Sequence, residues 1–278
     1  MRDRHRRLVL LSQYLVAHPL IQSSLTELSH RFHVAKSTLS EDLVLVKEAL
    51  EQEGLGQVES QVGVQGGIRF VPAIEREALA TSLHQWCQKL SEPDRMMSDG
   101  FLYMTDLLFN PRWIDSMGRL LAARFSDLGI EFVATVETKG IPLALSCAGA
   151  LGCEVVLLRR DNRLSEGSSL SINYLSGSSH RIQSMSLSRR TAVRGGRVLF
   201  VDDFMKAGGT AKAAEDLLLE FDATVCGVGV LVATVMPAEK LVGTFSSCME
   251  WDGTGRTGPV PSGWARVLCE PIQDEEEP

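Results

Sequence analysis

A segment that ends in two carboxylates and a glycine-rich turn is the part of this sequence best suited to chemistry. The apolar residues 198–201 predict a strand, and Asp202, Asp203 and then the turn Ala207-Gly208-Gly209-Thr210 follow it. Amides at the start of a helix bind phosphate, and glycine lets the phosphate approach the backbone closely. Adjacent carboxylates accept hydrogen bonds from sugar hydroxyls or hold a divalent metal. The pattern therefore predicts a ligand that carries both a sugar and a phosphate.

A second short loop, Glu137-Thr138-Lys139-Gly140, follows a predicted strand at residues 131–136. In open parallel α/β sheets ligands bind beyond the carboxyl ends of the strands, and both loops lie at such ends. Lys139 can therefore bind a second anionic group of the same ligand. Further candidate cations for anion binding are Arg159, Arg160, Arg163 and Lys206. A ribose with a phosphate at one end and a pyrophosphate at the other would use all of these groups.

The elements around these loops alternate between strand and helix, which is typical of a parallel α/β sheet. The sequence predicts strands at residues 131–136, 154–158, 197–201 and 225–232, and helices at 75–90, around 117–125, 141–151 and 211–220. Residues 159–188 are polar and rich in Ser and Gly, so we expect an extended flap or hairpin there. Residues 101–109 are apolar but of unclear type.

Two other interpretations of the two aspartates stay open from the residues alone. The carboxylates can simply be solvated acids at the end of a strand. The region can also be a plain dinucleotide-binding fold, although no G-x-G-x-x-G motif follows its first strand.

The N-terminal part of the chain predicts a winged helix-turn-helix. Apolar spacing and capping signals predict three helices, around residues 8–15, at 25–32 and at 36–52. Two short strands at 57–62 and 67–71, around a glycine-rich turn at 63–66, then predict the hairpin of a wing. A short helix, a tight turn and a second helix in this order are typical of DNA-binding modules.

The start of the third helix has the side chains expected of a recognition helix. Short hydroxyl and lysine side chains let the backbone approach DNA phosphates while other atoms reach the base edges. The candidate DNA contacts are Lys36, Ser37, Thr38 and Ser40, together with Arg6 on the first helix. The alternative is a small helical bundle with a hairpin that contacts protein instead of DNA.

Charge is distributed unevenly along the 278-residue chain, whose net charge is −7. Residues 1–47 hold seven Lys or Arg and four Asp or Glu, so this segment is +3 and the remainder is −10. A basic end on an acidic body, which finishes in Asp274-Glu275-Glu276-Glu277, suits a DNA-binding module joined to an effector domain. We expect residues 1–73 to form the DNA-binding domain and residues 74–278 the effector-binding domain.

Composition favours a cytoplasmic protein without a membrane segment. Apolar residues make up 44% of the chain, but no apolar run reaches the roughly 18 residues that a membrane span needs. The basic N-terminus is followed by a stretch that Ser12, Gln13 and Tyr14 interrupt, which is a poor match to a signal peptide. The six cysteines form no CxxC pair, so we expect reduced thiols and no cysteine-based metal site.

The motif at residues 198–210 resembles the signature of type I phosphoribosyltransferases, which bind phosphoribosyl pyrophosphate (PRPP). Segments similar to the purine-operon repressor family of Gram-positive bacteria lie at residues 36–43, 138–144, 171–179, 185–187 and 202–210. The resemblance covers roughly residues 4–232. It implies an α/β protein in which a winged helix-turn-helix precedes a type I phosphoribosyltransferase-like parallel α/β domain.

This resemblance also implies a function. The expected protein is a homodimeric transcriptional repressor of purine biosynthesis genes that binds double-stranded operator DNA. PRPP would be the inducer that weakens operator binding, with Mg²⁺ as a candidate companion ion and no cofactor required. The family is regarded as lacking transferase activity, so the alternative is an active purine or pyrimidine phosphoribosyltransferase with an accessory N-terminal domain.

The same resemblance assigns roles to the residues of the site. Asp202 and Asp203 would contact the ribose hydroxyls. The 5′-phosphate would bind Ala207, Gly208, Gly209 and Thr210, and the pyrophosphate would bind Thr138, Lys139 and Gly140. Phe204 and Lys206, with Tyr103 as a weaker candidate, would lie where a nucleobase sits. Purine nucleotides are therefore expected competitors of PRPP.

Two features depart from the family pattern. The segment after Val232, including Trp251-Asp252-Gly253-Thr254-Gly255, does not match it. Enzymes of this class also carry small hydroxyl residues near the positions of Lys206 and Ala207. Their absence here favours a binding site over a site of turnover.

Overall fold

The computed structural model describes residues 2–61, 66–73, 76–97, 101–160, 167–175, 182–253 and 258–265. The chain forms two compact units, residues 1–75 with 150–152, and residues 76–149 with 153–278. Several features named from the sequence lie outside the described residues: most of the wing turn at 63–66, Arg163, residues 176–179 of the 171–179 motif, Thr254-Gly255 and the tail at 274–277. Within the described ranges, no helix has both the length and the apolar character that a bilayer crossing requires.

The N-terminal unit contains three helices and a two-stranded antiparallel hairpin. Its elements are α1 (Arg2–Ala17), α2 (Leu25–Phe32), α3 (Lys36–Gln52), β1 (Gly56–Gln61) and β2 (Gly67–Pro72). Ser23 lies beside β2 and exchanges two backbone hydrogen bonds with Ile68, at 2.8 and 2.9 Å. This arrangement confirms the predicted winged helix-turn-helix.

Local sequence signals explain the turn between α2 and α3. The Ser24 side chain accepts a hydrogen bond from the Glu27 amide at 3.1 Å, which caps the start of α2. His33 adopts a left-handed conformation (φ 53°) that ends α2 and leads into α3. The apolar faces of the helices and hairpin share one core, formed by Leu11, Tyr14, Leu15, Leu28, Leu39, Leu43, Val46, Leu50, Val58, Ile68 and Phe70.

Asp42 is a buried carboxylate in this unit. Asp42 on α3 is 0% exposed and accepts hydrogen bonds from Arg7 and, at 3.2 Å, from Arg4, both on α1. Burial alone would raise the pKa of Asp42, but the hydrogen bonds from the two guanidinium groups hold that pKa below its ordinary value. These ion pairs join α1 to α3.

The remaining elements include the six strands of one sheet and the helices and short strands around it. They are α4 (Arg76–Leu90), β3 (Met96–Met97), β4 (Phe101–Leu102), α5 (Thr105–Leu108), α6 (Pro111–Phe125), β5 (Phe132–Val136), α7 (Ile141–Leu151), β6 (Glu154–Leu158), β7 (Ser169–Leu175), β8 (Ile182–Ser188), β9 (Arg197–Met205), α8 (Gly209–Leu219), β10 (Thr224–Thr234), β11 (Ser246–Trp251) and β12 (Val260–Pro261). The strand order is β12-β11-β10-β9-β5-β6, and all neighbours are parallel except β11 and β12. The predicted parallel α/β fold is confirmed.

The polar segment after β6 contains the hairpin that the sequence predicts. Strands β7 and β8 pair antiparallel, from Ser169 opposite Ser188 to Leu175 opposite Ile182. Arg159 and Ser186 exchange backbone hydrogen bonds of 2.9 and 2.8 Å, which join β8 to the end of β6. The hairpin is therefore joined to the carboxyl end of β6, the end of the parallel sheet at which the candidate site lies.

Near the candidate site, the structure changes two predicted boundaries and resolves one segment whose type the sequence left open. Strand β9 continues to Met205 instead of ending at residue 201, because its pairing with β10 continues through Asp202 opposite Val230 and Met205 opposite Ala233. Helix α8 begins at Gly209, two residues before the predicted start. The segment at 101–109 divides into β4 and the short helix α5. The two aspartates thus lie within a strand, which fixes them more rigidly than a loop would.

Candidate functional site

The two predicted loops meet at one cavity of about 580 Å³ beyond the carboxyl ends of β5 and β9. A volume of this size is typical of small-molecule sites. The residues that line the cavity include Phe101, Glu137, Thr138, Lys139, Arg160, Phe200, Asp202, Asp203, Phe204, Lys206, Ala207, Gly208, Gly209 and Thr210. Gly140 is buried directly behind this lining.

Gly140 allows the two loops to approach each other. A Cβ atom at this position would lie 2.3 Å from Thr135 Oγ1 and 3.0 Å from Asp202 Oδ1. Any side chain here would therefore displace the 137–140 loop from the acidic strand. The physical requirement for glycine explains why the last residue of the loop contributes its backbone alone.

Glu137 anchors the same loop to the end of β6. Its amide donates to the Leu158 carbonyl at 3.0 Å, and its carboxylate accepts from Arg159 Nη1 at 3.2 Å and from the Arg160 amide at 3.3 Å. The peptide between Glu137 and Thr138 is cis. Of the cations named from the sequence, Arg159 is thus paired within the scaffold, whereas Arg160 lines the cavity.

Thr138 and Lys139 are exposed at the mouth of the cavity. They follow the anchored Glu137 and precede α7, whose first turn is closed by a 2.9 Å hydrogen bond from the Ala144 amide to the Gly140 carbonyl. Lys139 therefore presents its charge from a loop that is fixed at both ends. Such a loop can bind an anion without first being ordered.

The two aspartates form a tightly coupled acidic pair. The Asp203 amide donates to Asp202 Oδ1 at 3.0 Å. Burial raises the pKa of Asp202 well above its ordinary value, and the neighbouring charge of Asp203 raises it further. Burial also raises the pKa of Asp203, while the positive charge of Lys139 opposes that rise. Hydroxyl donors or a divalent cation would stabilise the charged form of this pair.

The turn after β9 places the N-terminus of α8 at the cavity. Gly208 has φ +82°, a left-handed conformation that glycine adopts without strain, and α8 begins at the next residue. The first amides of a helix have no carbonyl partner within it, and the helix dipole adds a partial positive charge there. The backbone from Ala207 to Thr210 can therefore hold a phosphate, as the sequence predicts.

An aromatic surface borders the cavity near Lys206. The Phe101 and Phe204 ring centroids are 5.7 Å apart, and the Phe204 and Trp251 centroids 6.3 Å apart. Lys206 Nζ lies 5.8 Å from the centre of the Phe101 ring. A planar base could pack against this surface.

Comparisons with known proteins agree with both units. The family described as bacterial purine repressor, N-terminal, matches residues 3–72, and the phosphoribosyl transferase domain family matches residues 104–255. The chain is 43% identical over 246 residues to the purine biosynthesis transcriptional repressor PurR of Bacillus subtilis (strain 168), covering 88% of this chain and 86% of that protein. The chain belongs to the PurR family of purine biosynthesis transcriptional regulators.

A second curated relative and one solved structure are also similar to this chain. The purine biosynthesis transcriptional activator PurR of Lactococcus lactis subsp. lactis (strain IL1403) is 38% identical over 249 residues, which cover 90% of this chain and 92% of that protein. The PurR family thus includes proteins named as repressors and as activators. The crystal structure of adenine phosphoribosyltransferase from Rhodothermus marinus DSM 4252 aligns with a TM-score of 0.51 at 20% identity, over 62% of this chain and 99% of that one. This likeness shows the fold alone.

The residues proposed for DNA contact lie on the surface of the PurR-family N-terminal unit. Lys36, Ser37 and Ser40 are exposed at the start of α3, and Thr38 is half-buried there. Arg6 is exposed on α1, whereas its neighbours Arg4 and Arg7 bind Asp42. The exposed set could approach DNA phosphates without breaking any of these ion pairs.

Two contributions to the site in this PurR-family member are absent from the residues predicted from the sequence. Phe101 lines the cavity, whereas Tyr103 does not line it and is 47% exposed. Strand β4 ends at Leu102, so Tyr103 does not continue the face that carries Phe101. The other contribution comes from Thr234 and Lys240, which contact the backbone of the 206–208 turn. No local motif marks these positions, because their contacts depend on how the chain returns after β10.

Proposed function

We propose that this chain represses purine biosynthesis genes and that PRPP is the inducer that weakens its binding to double-stranded operator DNA. The name of the Bacillus subtilis relative supports repression. The name of the Lactococcus lactis relative supports the opposite sign, so the direction of regulation needs its own test. In this proposal the protein acts in the cytoplasm as a homodimer.

The observation that carries the proposal is that three kinds of group line one cavity. These are the α8 N-terminus, the Asp202–Asp203 pair and the 137–140 loop with Lys139. PRPP carries three matching chemical groups: a 5′-phosphate, ribose hydroxyls and a pyrophosphate. Each part of the cavity complements one part of this ligand.

Mg²⁺ fits this proposal as an ion that arrives with the ligand. Among the described residues, no group of three or more His, Cys, Asp or Glu side chains could hold a metal ion. Mg²⁺ is commonly bound by one or two carboxylates together with substrate phosphates and water. Asp202 and Asp203 supply such carboxylates, and a nearby cation would relieve their mutual repulsion. The ion would neutralise charge when bound.

The binding experiment is a calorimetric titration of the full chain with PRPP, with and without Mg²⁺. For Asp203→Asn we expect PRPP affinity to fall about 10- to 100-fold, since hydrogen bonds to charged groups contribute about 1.5–3 kcal/mol. Asp216→Asn is the matched control, because Asp216 is an exposed carboxylate on α8. Equal PRPP affinity in the wild-type chain and Asp203→Asn would remove the assigned role of the acidic pair.

The regulatory experiment measures operator binding by gel shift with and without PRPP. A coupling free energy of about 1–3 kcal/mol would weaken operator affinity roughly 5- to 150-fold. Asp203→Asn should bind operator DNA normally but respond only at much higher PRPP concentration. If PRPP binds and operator affinity does not change, PRPP is not the inducer. Deletion of the gene should raise purine-gene transcription, and a fall would assign activation instead.

Turnover is the second candidate function, favoured by the phosphoribosyl transferase domain match and by the aromatic surface beside the cavity. We propose binding without turnover, because Lys206 and Ala207 occupy positions where the enzymes carry small hydroxyl residues. The test is release of pyrophosphate from PRPP in the presence of a panel of purine and pyrimidine bases. Release that depends on one base and disappears in Asp203→Asn would establish a transferase.

Two further properties belong to the same proposal. Purine nucleotides should compete with PRPP, since their phosphate can occupy the α8 N-terminus while the base packs near Phe204 and Lys206. Competition calorimetry with AMP and GMP measures this directly. Sedimentation at several protein concentrations tests the homodimer.

A further inference from the structure

A segment outside the cavity supports the turn that forms the proposed phosphate site. After β10 ends at Thr234, the chain returns so that Lys240 and Leu241 contact the backbone of residues 206–208. Lys240 itself does not line the cavity. Its ammonium donates to the Lys206 carbonyl, to the Thr234 carbonyl at 2.7 Å and to Thr234 Oγ1 at 3.4 Å.

These contacts use the full donor capacity of the side chain. A lysine ammonium has three N–H groups, and three oxygen atoms surround it here. Thr234 Oγ1 also lies 3.3 Å from the Lys206 carbonyl and 2.7 Å from the Met236 carbonyl. Burial lowers the pKa of Lys240. A partly buried ammonium among backbone carbonyls is unfavourable unless its donors are satisfied, as they are here.

Leu241, the residue after Lys240, hydrogen-bonds the next carbonyl of the turn. The Leu241 amide donates to the Ala207 carbonyl at 2.9 Å. A Cβ atom on Gly208 would lie 3.2 Å from the Leu241 nitrogen and 3.6 Å from Lys240 Cβ, so this segment packs directly against the turn. Two consecutive carbonyls of the turn, those of Lys206 and Ala207, are therefore held on the side away from the cavity.

Because peptides are planar, the hydrogen bonds to the Lys206 and Ala207 carbonyls also fix the direction of the amides that follow them. In a planar trans peptide the C=O of one residue and the N–H of the next point in opposite directions. With the Lys206 and Ala207 carbonyls directed toward residues 240–241, the Ala207 and Gly208 amides are directed the other way. Because both residues line the cavity, that direction is toward the cavity.

We infer that Lys240 is a positioning residue for phosphate binding: it orients the amides of the 206–208 turn and places a positive charge behind them. The inference rests on the proposed function, in which this turn binds the 5′-phosphate of PRPP. Without the ammonium, the Lys206 carbonyl could turn toward the cavity and repel the phosphate. Lys240 thus acts through the backbone and makes no contact with the ligand.

The test compares two ligand fragments that report on different parts of the cavity lining. Ribose 5-phosphate probes the turn, and inorganic pyrophosphate probes the 137–140 loop. For Lys240→Met in the full chain we expect affinity for PRPP and ribose 5-phosphate to fall about tenfold, the loss of one well-placed hydrogen bond to a charged group. Pyrophosphate affinity should stay within about twofold. Lys212→Met, an exposed lysine on α8, is the matched control.

Each outcome separates this inference from the proposed function. If the wild-type chain binds neither PRPP nor ribose 5-phosphate, the proposed function fails and this inference fails with it. If wild type and Lys240→Met bind both ligands equally, only the role of Lys240 is wrong. An equal loss for pyrophosphate and ribose 5-phosphate would indicate general destabilisation instead of positioning.

A second pair of variants keeps the test decisive if Lys240→Met does not fold. Lys240→Arg retains the charge and should recover most of the affinity for ribose 5-phosphate. Thr234→Val removes the hydroxyl beside the Lys206 carbonyl while keeping the side-chain shape, and should weaken ribose 5-phosphate about threefold. Unchanged binding in Thr234→Val together with full loss in Lys240→Arg would contradict the inferred geometry.

Discussion

Asp42 and the Asp202–Asp203 pair are acidic sites that are constructed in opposite ways. Asp42 in the N-terminal unit accepts hydrogen bonds from Arg4 and Arg7, so its charge is neutralised within the fold. Asp202 in the larger unit accepts the amide of Asp203 and lies beside a second carboxylate. Within the part of the chain that the structure describes, the charges of Lys139 and Arg160 act on this pair without forming an ion pair with it.

This difference is the one expected between a carboxylate that stabilises the fold and a carboxylate that binds a ligand, the role proposed for the Asp202–Asp203 pair. The pKa of Asp42 is lowered by its arginines, so ionisation of Asp42 stabilises the folded state. The pKa of Asp202 is raised by burial and by Asp203, so ionisation of Asp202 opposes folding until a ligand supplies donors or charge. Perturbed carboxylates of the second kind concentrate at functional sites. The comparison predicts opposite stability effects for the same Asp-to-Asn change.

The largest effect is expected for Asp42→Asn. This change removes the buried carboxylate that pairs with Arg7, whose side chain is only 15% exposed, and breaking a buried ion pair costs about 3 kcal/mol. The four tryptophans, Trp86, Trp113, Trp251 and Trp264, all lie in the larger unit. Urea unfolding followed by far-UV circular dichroism should therefore show an early transition, while tryptophan fluorescence should not shift.

Glu48→Gln is the control for Asp42→Asn, because Glu48 is an exposed carboxylate on the same helix. Its effect on the free energy of unfolding should stay within about 0.5 kcal/mol. An Asp42→Asn chain that unfolds like the wild type would show that the Arg4–Asp42–Arg7 cluster contributes nothing to stability. A matching shift in tryptophan fluorescence would show that both units unfold together.

Asp202→Asn should have the opposite sign. The amide removes a partly buried charge next to Asp203, while its Oδ1 can still accept the Asp203 amide. We expect the free energy of unfolding of the larger unit to rise by about 1 kcal/mol at about pH 7, as is common when a binding site is neutralised. The midpoint of thermal unfolding, measured by tryptophan fluorescence, reports this change. Added PRPP should raise that midpoint less than it does in the wild type.

The pH dependence follows from the two pKa directions. Because the folded-state pKa of Asp202 is raised, its favourable contribution exists below the unfolded pKa and is lost as pH rises through the folded pKa. The gain from Asp202→Asn should thus be small near pH ~4 and grow toward pH ~7. The lowered pKa of Asp42 gives stability above the unfolded pKa that is lost as pH falls. A gain from Asp202→Asn that shrinks toward neutral pH would reverse the assignment.

The contrast between the two acidic sites also shows which parts of the fold could be predicted from sequence. The capping box at Ser24 and the apolar spacing of α3 are local signals, and their helices form where the sequence predicts them. The Arg7–Asp42 pair joins residues 35 positions apart, and no local pattern indicates it. From charge alone, Arg4 and Arg7 count with Arg6 as part of a basic surface. Only the packing of α1 on α3 separates them.

The cavity also combines residues that could be predicted from local sequence with residues that could not. Asp202 to Thr210 lie in one continuous motif, so their chemistry could be predicted together, and the parallel sheet brings the 137–140 loop to the same edge. Phe101 and Lys240 come from distant segments whose positions depend on tertiary packing. The extension of β9 to Met205 depends on pairing with β10, which residue propensities do not indicate.

The smallest change in the free energy of unfolding is expected for the exposed cations Arg6 and Lys36. This prediction distinguishes them from Arg4 and Arg7, which pair with Asp42. Arg6→Ala and Lys36→Ala should each leave the free energy of unfolding within about 0.5 kcal/mol. Each should weaken operator binding and reduce the slope of log affinity against log salt by about one, because one phosphate contact is lost.

Arg7→Ala should lower stability and leave that slope unchanged, because its charge is already paired with Asp42. Lys47→Ala is the matched control, since Lys47 lies near the opposite end of α3 and pairs with Glu51. If Lys47→Ala reduces the salt slope as much as Lys36→Ala does, the DNA is not contacted by the start of α3. If Arg7→Ala reduces the slope and leaves stability intact, the guanidinium groups beside Asp42 serve DNA instead of the fold, and the distinction between the two acidic sites is lost.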